Sequence, residues 1–344
     1  MTAWAEIDLA ALVTNTATVR ERVAPAELMA VVKDDAYGHG LDEITRALAA
    51  ESITAFGALD PQTALRVRQL APEASVFAWL LDGHDELGVL IDNDIELGVT
   101  DSDTLERVAR ENRRSRVHLK IDTGLSRAGV RAERWPNLVE RAAQLERRGA
   151  IEVVGVWTHI SEASDDEDTA SIGRFSTAFE LAVAAGLNPR VRHLAASAAS
   201  FARADARFDR VRVGAFLYGI APGDGVGPTE LGLRPVMTLR STVLEAVDGV
   251  AAIGYGGVAG MLSDAAGAVS VAIGGVRHPV LAVEDSRTLI ATGDHAVDVG
   301  DVATLFGSGD SGEATLQVWA DAMGTIGEEL VTRVHPGIER RYRG

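Results

Sequence analysis

The chain has 344 residues, a formal net charge of −17 and no cysteine. The negative charge argues against nucleic acids and anionic membranes as partners. The lack of cysteine excludes disulfides and thiolate metal sites, and no His-Glu-x-x-His pattern occurs, so we expect no metal. No apolar run is long enough to span a bilayer and no signal-like N-terminus is present, so we expect a cytoplasmic protein.

The first 222 residues alternate between strand-like and helix-like patterns. Eight short apolar runs rich in β-branched residues predict strands, and apolar residues recur every three or four positions between them, as in helices. Eight strands that alternate with helices predict a closed (β/α)8 barrel of the TIM type, with an open doubly wound sheet as the alternative. The predicted strands cover residues 28–32, 54–59, 75–81, 95–100, 116–121, 152–159, 190–197 and 210–215, and the clearest helices cover 41–50, 101–112 and 176–186.

The chain changes character after the barrel pattern. Residues 223–235 are rich in glycine and proline, which predicts a linker between a domain of residues 1–222 and a second domain of residues 236–344. The second domain contains short strand-like runs broken by Gly, Asp and Pro, and it lacks long helix patterns. We therefore expect a mainly antiparallel β domain.

Lysine is rare in this chain. Of the 33 basic residues, only Lys33 and Lys120 are lysines and the other 31 are arginines. An amine can condense with a carbonyl or lose its proton and react, whereas a guanidinium does neither. Either lysine is therefore a candidate for a chemical role, with drift in an arginine-rich composition as the alternative.

Both lysines follow predicted barrel strands, where the active sites of barrel enzymes lie. Four further polar residues stand at or near the same strand ends. A convergence of this kind predicts one site at the mouth of the barrel, and the lysine at the end of the first strand favours an aldehyde cofactor. The six residues are Lys33, Lys120, Arg127, His159, Ser197 and Arg212.

The segment AVVKDDAYGHG (30–40) resembles the pyridoxal-phosphate lysine motif of alanine racemases. That family has a barrel followed by a β domain, in agreement with the division above. The resemblance implies an isomerase that interconverts L- and D-alanine with pyridoxal 5′-phosphate. It continues in family order through TAWAEIDLAAL (2–12), HLKIDTGLSRAGV (118–130), THISEASDDED (158–168), RVRVGAFLYG (210–219), GYGG (254–257) and GTIGEELVTR (324–333).

The resemblance assigns residues to the cofactor. Lys33 would carry pyridoxal phosphate covalently and act as a base on one face of the substrate Cα. Tyr37, Ser197 and the backbone amides of Gly214 and Ala215 would bind the phosphate, since N–H groups at a turn or helix start suit an anion. For Ser197, a role as a helix N-cap is the alternative.

Arg212 would face the pyridine nitrogen of the cofactor. Because arginine keeps its proton, that nitrogen would stay unprotonated and the ring would be a weaker electron sink, which favours proton return over transamination. A decarboxylase of similar two-domain plan would be expected to place a carboxylate there. His159 and His193 would orient Arg212 and the cofactor.

The resemblance also assigns the substrate side and the assembly. Lys120 would take up CO₂ as a carbamate and hold Arg127, which would bind the substrate carboxylate; a Lys120–Asp122 ion pair is the alternative. Tyr255 matches the second catalytic base of the family, which comes from the other subunit. We therefore expect a homodimer with shared active sites.

Several positions depart from the family pattern. Ala196 replaces the usual asparagine, Glu328 replaces a tyrosine near the phosphate, and residues 275–277 replace a Tyr-Ala-Asp-Gly run. Residues 283–287 replace a Met-Asp pair near the substrate, and there Ser286 is the candidate contact. Two alternatives stay open: a racemase of another small amino acid, and a cofactor-binding protein with little turnover.

Overall fold

The computed structural model describes residues 2–223 and 225–344, so residue 224 of the predicted linker lies outside the described residues. The chain forms two compact units. The barrel unit comprises Val19–Lys33 and Leu41–Gly214, and the C-terminal unit comprises Met1–Thr18, Asp34–Gly40 and Ala215–Gly344.

The strands are β1 (Ala3–Asp8), β2 (Glu27–Val31), β3 (Ala55–Leu59), β4 (Ser75–Ala78), β5 (Ile95–Val99), β6 (Ser115–Lys120), β7 (Ile151–Trp157), β8 (Val191–His193), β9 (Arg210–Val213), β10 (Met237–Val247), β11 (Val250–Ile253), β12 (Ser270–Ile273), β13 (Val276–Val283), β14 (Thr288–Ala291), β15 (Val302–Gly307), β16 (Ala314–Thr315) and β17 (Glu339–Arg343). The helices are α1 (Leu9–Val23), α2 (Lys33–Tyr37), α3 (Leu41–Ala50), α4 (Pro61–Leu70), α5 (Leu87–Asp92), α6 (Ser102–Arg110), α7 (Trp135–Arg147), α8 (Asp165–Ala184), α9 (Ser197–Ala202), α10 (Leu316–Met323) and α11 (Gly327–Thr332).

The barrel unit is a closed barrel of parallel strands in the order β2 to β9, with β9 pairing back to β2. The predicted barrel is therefore confirmed over the open sheet, and each of the eight predicted strands overlaps one observed strand. Strands of this kind are apolar on both faces because helices cover the outside and side chains fill the inside. Met29, Phe77 and Trp157 belong to one buried cluster of that core.

Two of the three clearest predicted helices match observed helices, and the third covers only the end of a longer one. The predicted helix 41–50 is α3, and α6 begins after Asp101, whose carboxylate accepts a hydrogen bond from the Thr104 amide as an N-cap. The helix predicted over 176–186 is the end of the longer α8, which Ser164 caps. Four acidic residues fill the first turn of α8, where the helix dipole favours negative charge.

The C-terminal unit is a nine-stranded sheet in the order β16-β15-β12-β13-β14-β11-β10-β1-β17. Most neighbours are antiparallel, as predicted, but β1 pairs with β17 in parallel and β15 with β16 in parallel. The strand at the start of the chain, β1, pairs with β10. Residues 2–18 therefore group with the second half of the chain, although the sequence placed them in the barrel domain. A pairing between such distant segments leaves no local periodic signal.

No helix within residues 2–223 and 225–344 is both long enough and apolar enough to cross a membrane. The cytoplasmic location stays a prediction.

Candidate active site

Lys33 lies directly after the first barrel strand, β2. Its neighbour Val32 is buried and donates a backbone hydrogen bond to the Gly57 carbonyl of β3, with an N–O distance of 2.9 Å. The Lys33 side chain is half-buried. The structure thus places this lysine at the C-terminal end of a barrel strand, as the sequence predicted.

The segment after Lys33 carries the label α2, but its backbone forms a left-handed turn and not a right-handed α-helix. Asp34, Asp35, Ala36 and Tyr37 have φ angles between 53° and 55°, a conformation that costs an L-residue about 1–2 kcal/mol. Gly38 continues the turn at φ 73°, and its amide donates to the Asp34 carbonyl at 2.8 Å. Strain of this size persists only where the surrounding structure holds the backbone in place.

The C-terminal unit supplies that support. Arg340 Nε donates to the Gly38 carbonyl at 3.0 Å, and the Tyr37 ring lies 4.9 Å from the Tyr218 ring. A Cβ atom at Gly38 would approach the Val331 carbonyl oxygen to 2.4 Å, so a glycine is required there. Tyr37 is buried, and this burial, followed by the charges of Glu328 and Asp34, raises the pKa of its hydroxyl.

Arg212 ends in a set of hydrogen-bond acceptors inside the barrel unit. Its side chain is 4% exposed, and Nη2 donates to the carbonyls of Thr158 at 2.8 Å and Leu194 at 3.0 Å. Nη1 lies 3.2 Å from His193 Nδ1, and Nη2 lies 3.2 Å from His159 Nδ1. The two predicted histidines therefore contact Arg212. Their catalytic roles stay predictions.

The strand ends of the barrel unit carry an excess of positive charge. Burial, followed by the charges of Arg212, Arg127, Lys120 and Lys33, lowers the pKa of His159 to about 2. Burial and Arg127 lower the pKa of Arg212 to about 9, which still leaves the guanidinium protonated at neutral pH. An anion placed here would be stabilised by several cations at once.

Lys120 is almost buried, at 6% exposure. Its ammonium donates to the Arg127 carbonyl at 3.1 Å and lies 4.5 Å from the centre of the Trp157 ring. Burial, followed by the charges of Arg212 and Arg127, lowers the Lys120 pKa to about 8. The Asp122 carboxylate accepts hydrogen bonds from two backbone amides of the following loop, so its main contacts organise that loop.

Trp157 was missed by the sequence analysis, which assigned it only to a strand. Its ring stacks on His193 with 6° between the planes, and the Arg212 guanidinium lies 5.1 Å from its centre. Cations over an indole face are stabilised by its electron-rich centre. Its position in the sequence, directly before the strand-end residues Thr158 and His159, could have indicated that Trp157 lies close to the site.

The predicted phosphate residues of the barrel unit lie near the start of α9. Ser197 is the first residue of that helix and Ala196 is its N-cap, so the alternative N-cap role for Ser197 is wrong. The Gly214 amide donates to Ser197 Oγ at 3.3 Å. The next residue, Ala215, is buried and opens a short turn in the C-terminal unit.

The predicted second base lies in the C-terminal unit. Tyr255 is 2% exposed within its own chain, and its carbonyl accepts a hydrogen bond from Thr288 Oγ1 at 2.7 Å. A Cβ at Gly256 would approach the Arg287 amide to 2.4 Å, which explains that glycine. Ser286 lies exposed in the β13–β14 turn.

Family models cover both halves of the chain. The model described as "Alanine racemase, N-terminal domain" matches residues 7–222, and "Alanine racemase, C-terminal domain" matches residues 239–342. This chain belongs to the alanine racemase family. The resemblance that the sequence motifs suggested is therefore confirmed.

Individual relatives agree with the family models over the whole chain. The alanine racemase of Frankia casuarinae is 38% identical over 368 residues, covering 98% of this chain and 95% of that protein. The crystal structure of alanine racemase from D-cycloserine-producing Streptomyces lavendulae has a TM-score of 0.96 at 30% identity, covering 100% of this chain and 97% of that chain. The alanine racemase of Streptomyces coelicolor A3(2) has a TM-score of 0.95 at 34% identity, covering 99% and 98% of the two chains.

Proposed function

We propose that this chain is a pyridoxal-phosphate-dependent alanine racemase. Membership of the family over both domains supports the reaction, since the relatives are named for it. The observation that carries the proposal is the placement of Lys33, Lys120, Arg127 and Arg212, whose charges all act on His159 in the barrel unit. Both lysines of the chain belong to this cluster.

The residues present fit pyridoxal phosphate. The cofactor brings a phosphate and a phenolic oxygen, and the substrate brings a carboxylate, so the cluster of cations would meet anions. Lys33 is the amine positioned after a barrel strand for the aldehyde carbon. Tyr37, Ser197 and the amides of Gly214 and Ala215 would hold the phosphate. When bound, the cofactor supplies an electron sink that acidifies the substrate Cα.

Two bases would then exchange the Cα proton on opposite faces of the substrate. The Lys33 amine would take and return it on one face, and Tyr255 of the partner subunit would do so on the other. Burial raises the pKa of the Tyr255 hydroxyl, while the charge of Arg340 acts in the opposite direction. A raised pKa keeps the hydroxyl protonated at neutral pH, so Tyr255 would be ready to donate a proton to the substrate Cα on its face.

Arg212 would set the electronic character of the site. Its four acceptor contacts fix the guanidinium, and its pKa of about 9 keeps it a hydrogen-bond donor at neutral pH. A donor toward the ring nitrogen leaves that nitrogen without a proton of its own. Racemisation is then favoured over transamination.

Arg127 would bind the substrate carboxylate, with Lys120 behind it. The Lys120 pKa of about 8 leaves part of the amine neutral at physiological pH, and only a neutral amine takes up CO₂. A carbamate on Lys120 would add a negative charge near Arg127 and Arg212, whose positive charges lower the pKa of the Lys120 amine. We therefore propose that Lys120 is carbamylated.

The assembly would be a homodimer with shared sites, because the family resemblance pairs Tyr255 with Lys33 across two chains. Ser286 is the candidate substrate contact of the C-terminal unit. Its turn departs from the family pattern and is exposed, which favours activity on other small amino acids beside alanine.

Borohydride reduction tests the cofactor assignment. Reduced protein loaded with pyridoxal phosphate should carry a stable label, and peptide mapping should place it on Lys33. The chain offers its own control, since Lys120 is the only other lysine. Label on Lys120, or no label in a folded protein, would overturn the assignment.

A further inference from the structure

A line of hydrogen bonds runs from Arg212 into the interior of the barrel unit. Arg212 Nη1 lies 3.2 Å from His193 Nδ1, and His193 Nε2 lies 2.9 Å from His118 Nδ1. His118 Nε2 lies 2.9 Å from the Glu96 carboxylate. All four side chains are buried, and they come from the barrel strands β5, β6, β8 and β9.

The line has only one consistent direction. A guanidinium is a donor at every nitrogen, so His193 Nδ1 must accept and its proton must be on Nε2. That Nε2–H donates to His118 Nδ1, so His118 carries its proton on Nε2 as well. The His118 Nε2–H then donates to Glu96. Each imidazole is thereby fixed as one tautomer by its two neighbours.

The far end of the line is an ionised carboxylate. Burial alone would raise the pKa of Glu96, but the hydrogen bond from His118 and the charges of Arg210 and Arg116 lower it to about 2. Burial lowers the pKa values of His118 and His193, so both stay neutral. A neutral pair of imidazoles thus connects a buried cation to a buried anion.

The surrounding core accommodates this line. A Cβ at Gly155 would lie 2.3 Å from His118 Nδ1, so the glycine leaves room for that ring. The His193 ring stacks on Trp157, and the Phe77 ring lies 4.7 Å from His118. Rings held on several sides keep their nitrogens aimed along the line.

We propose that Glu96 and His118 are positioning residues for the racemase reaction: they lock the tautomer of His193 and so aim Arg212 at the cofactor nitrogen. This inference rests on the proposed function, because it takes the ring nitrogen as the target of Arg212. Neither residue touches substrate or cofactor in this account; both act through His193.

Glu96→Gln tests the lock with little change of shape. A glutamine amide can donate as well as accept, so the line can reverse: His118 Nε2 would accept, and His193 would place a proton on Nδ1. That Nδ1–H would meet the Arg212 N–H, and two donors repel. Arg212 should then lose its orientation toward the ring nitrogen.

The control variant is Glu27→Gln. Glu27 pairs with Arg210 at 2.7 Å, and Arg210 also lies 3.9 Å from Glu96, but Glu27 makes no hydrogen bond in the line of Arg212, His193, His118 and Glu96. It removes one carboxylate from the barrel, as Glu96→Gln does. Because Glu27 is 38% exposed and Glu96 is 8% exposed, urea unfolding of both variants measures how much stability each one loses, and the activities are compared under conditions where both are folded.

The first readout is the ¹⁵N NMR signal of the histidine side chains in protein loaded with pyridoxal phosphate. In the wild type, His118 and His193 should both be neutral with the proton on Nε2. Glu96→Gln should give Nδ1-protonated or exchanging rings, and Glu27→Gln should leave them unchanged. A proton on Nδ1 of either ring in the wild type would overturn the lock without any variant.

The second readout is the ratio of two reactions with alanine. Glu96→Gln should lower racemisation about 10- to 100-fold, the range found when a partner behind a ligating histidine is removed. Transamination, which converts alanine to pyruvate and the cofactor to its amine form, should rise relative to racemisation. A purely structural role would lower both reactions together. Equal rates and ratios in the two variants would overturn the inference.

The two proposals fail differently. A wild type that neither binds pyridoxal phosphate nor racemises alanine would overturn the proposed function and the target of Arg212 with it. An active wild type in which Glu96→Gln behaves like Glu27→Gln would overturn this inference alone.

Discussion

Arg212 and Lys120 of the barrel unit are held differently from the Ser286 turn of the C-terminal unit. In the barrel unit, Arg212 is buried among four acceptors and Lys120 is enclosed beside Trp157. In the C-terminal unit, the turn that carries Ser286 is exposed, and Arg287 beside it forms surface ion pairs with Glu284 and Glu245. A buried polar network is costly to change one residue at a time, whereas an exposed turn tolerates substitution.

The departures from the family motifs follow this difference. Glu328 and the segments 275–277 and 283–287 all lie in the C-terminal unit, and Ala196 alone lies in the barrel unit. The residues proposed for cofactor chemistry in the barrel unit are those that the motifs match. We infer that the groups acting on the cofactor ring are fixed by the buried network, and that the phosphate contacts near Ala196 and Glu328 and the fit of the substrate are what has changed.

Lys33→Ala should give the largest effect, because it removes both the attachment point and one base. Racemisation should fall at least about 10³-fold. The matched control is Lys120→Ala, which removes the other lysine and should lose less racemisation activity. Rates are measured by chiral chromatography of alanine. A larger loss in Lys120→Ala would exchange the roles of the two lysines.

Arg212→Glu should change which reaction occurs. A carboxylate would let the ring nitrogen hold a proton and strengthen the electron sink, so racemisation should fall about 10²-fold while pyruvate accumulates. Parallel assays of D-alanine and pyruvate give the ratio. If racemisation is undiminished and no pyruvate forms, Arg212 does not contact the ring nitrogen of the cofactor.

Lys120 should make stability depend on pH in the cofactor-free protein. Its pKa is about 8 in the folded chain and ordinarily 10.5, so protonated Lys120 opposes folding at neutral pH. Between these values only the unfolded chain holds the proton, and stability rises with pH by up to about 3 kcal/mol. Lys120→Met should lack this rise. Urea unfolding from pH 7 to 10.5 in CO₂-free buffer measures the free energy of unfolding of both proteins. The same pH dependence in the wild type and in Lys120→Met would contradict this prediction.

Mixing two inactive variants tests the shared site. Lys33→Ala and Tyr255→Phe chains should form heterodimers in which one of the two sites has both bases. With free subunit exchange, activity should recover to about a quarter of the wild-type value. No recovery after verified exchange would show that each site uses the two bases of one chain.

Much of the fold was predictable because its signals are local. The apolar runs that end at Lys33, Lys120 and His159 gave the barrel strands, since each run and its following polar residue are continuous in sequence. The partners of β1 lie more than two hundred residues away, and no periodic pattern records such a pairing. The site was predictable where a strand end carries an unusual residue. Glu96 and His118 were missed because each sits inside an apolar strand, although a charged residue there is itself a signal.

Hydrogen exchange at the substrate Cα tests the central claim most directly. Wild-type protein loaded with pyridoxal phosphate should incorporate deuterium from D₂O into both L- and D-alanine and interconvert them. Serine and other small amino acids should exchange within about two orders of magnitude, because the loss of an apolar contact changes discrimination by only about 1–3 kcal/mol. Exchange of a large or charged amino acid without alanine, or no exchange at all in loaded protein, would contradict the account.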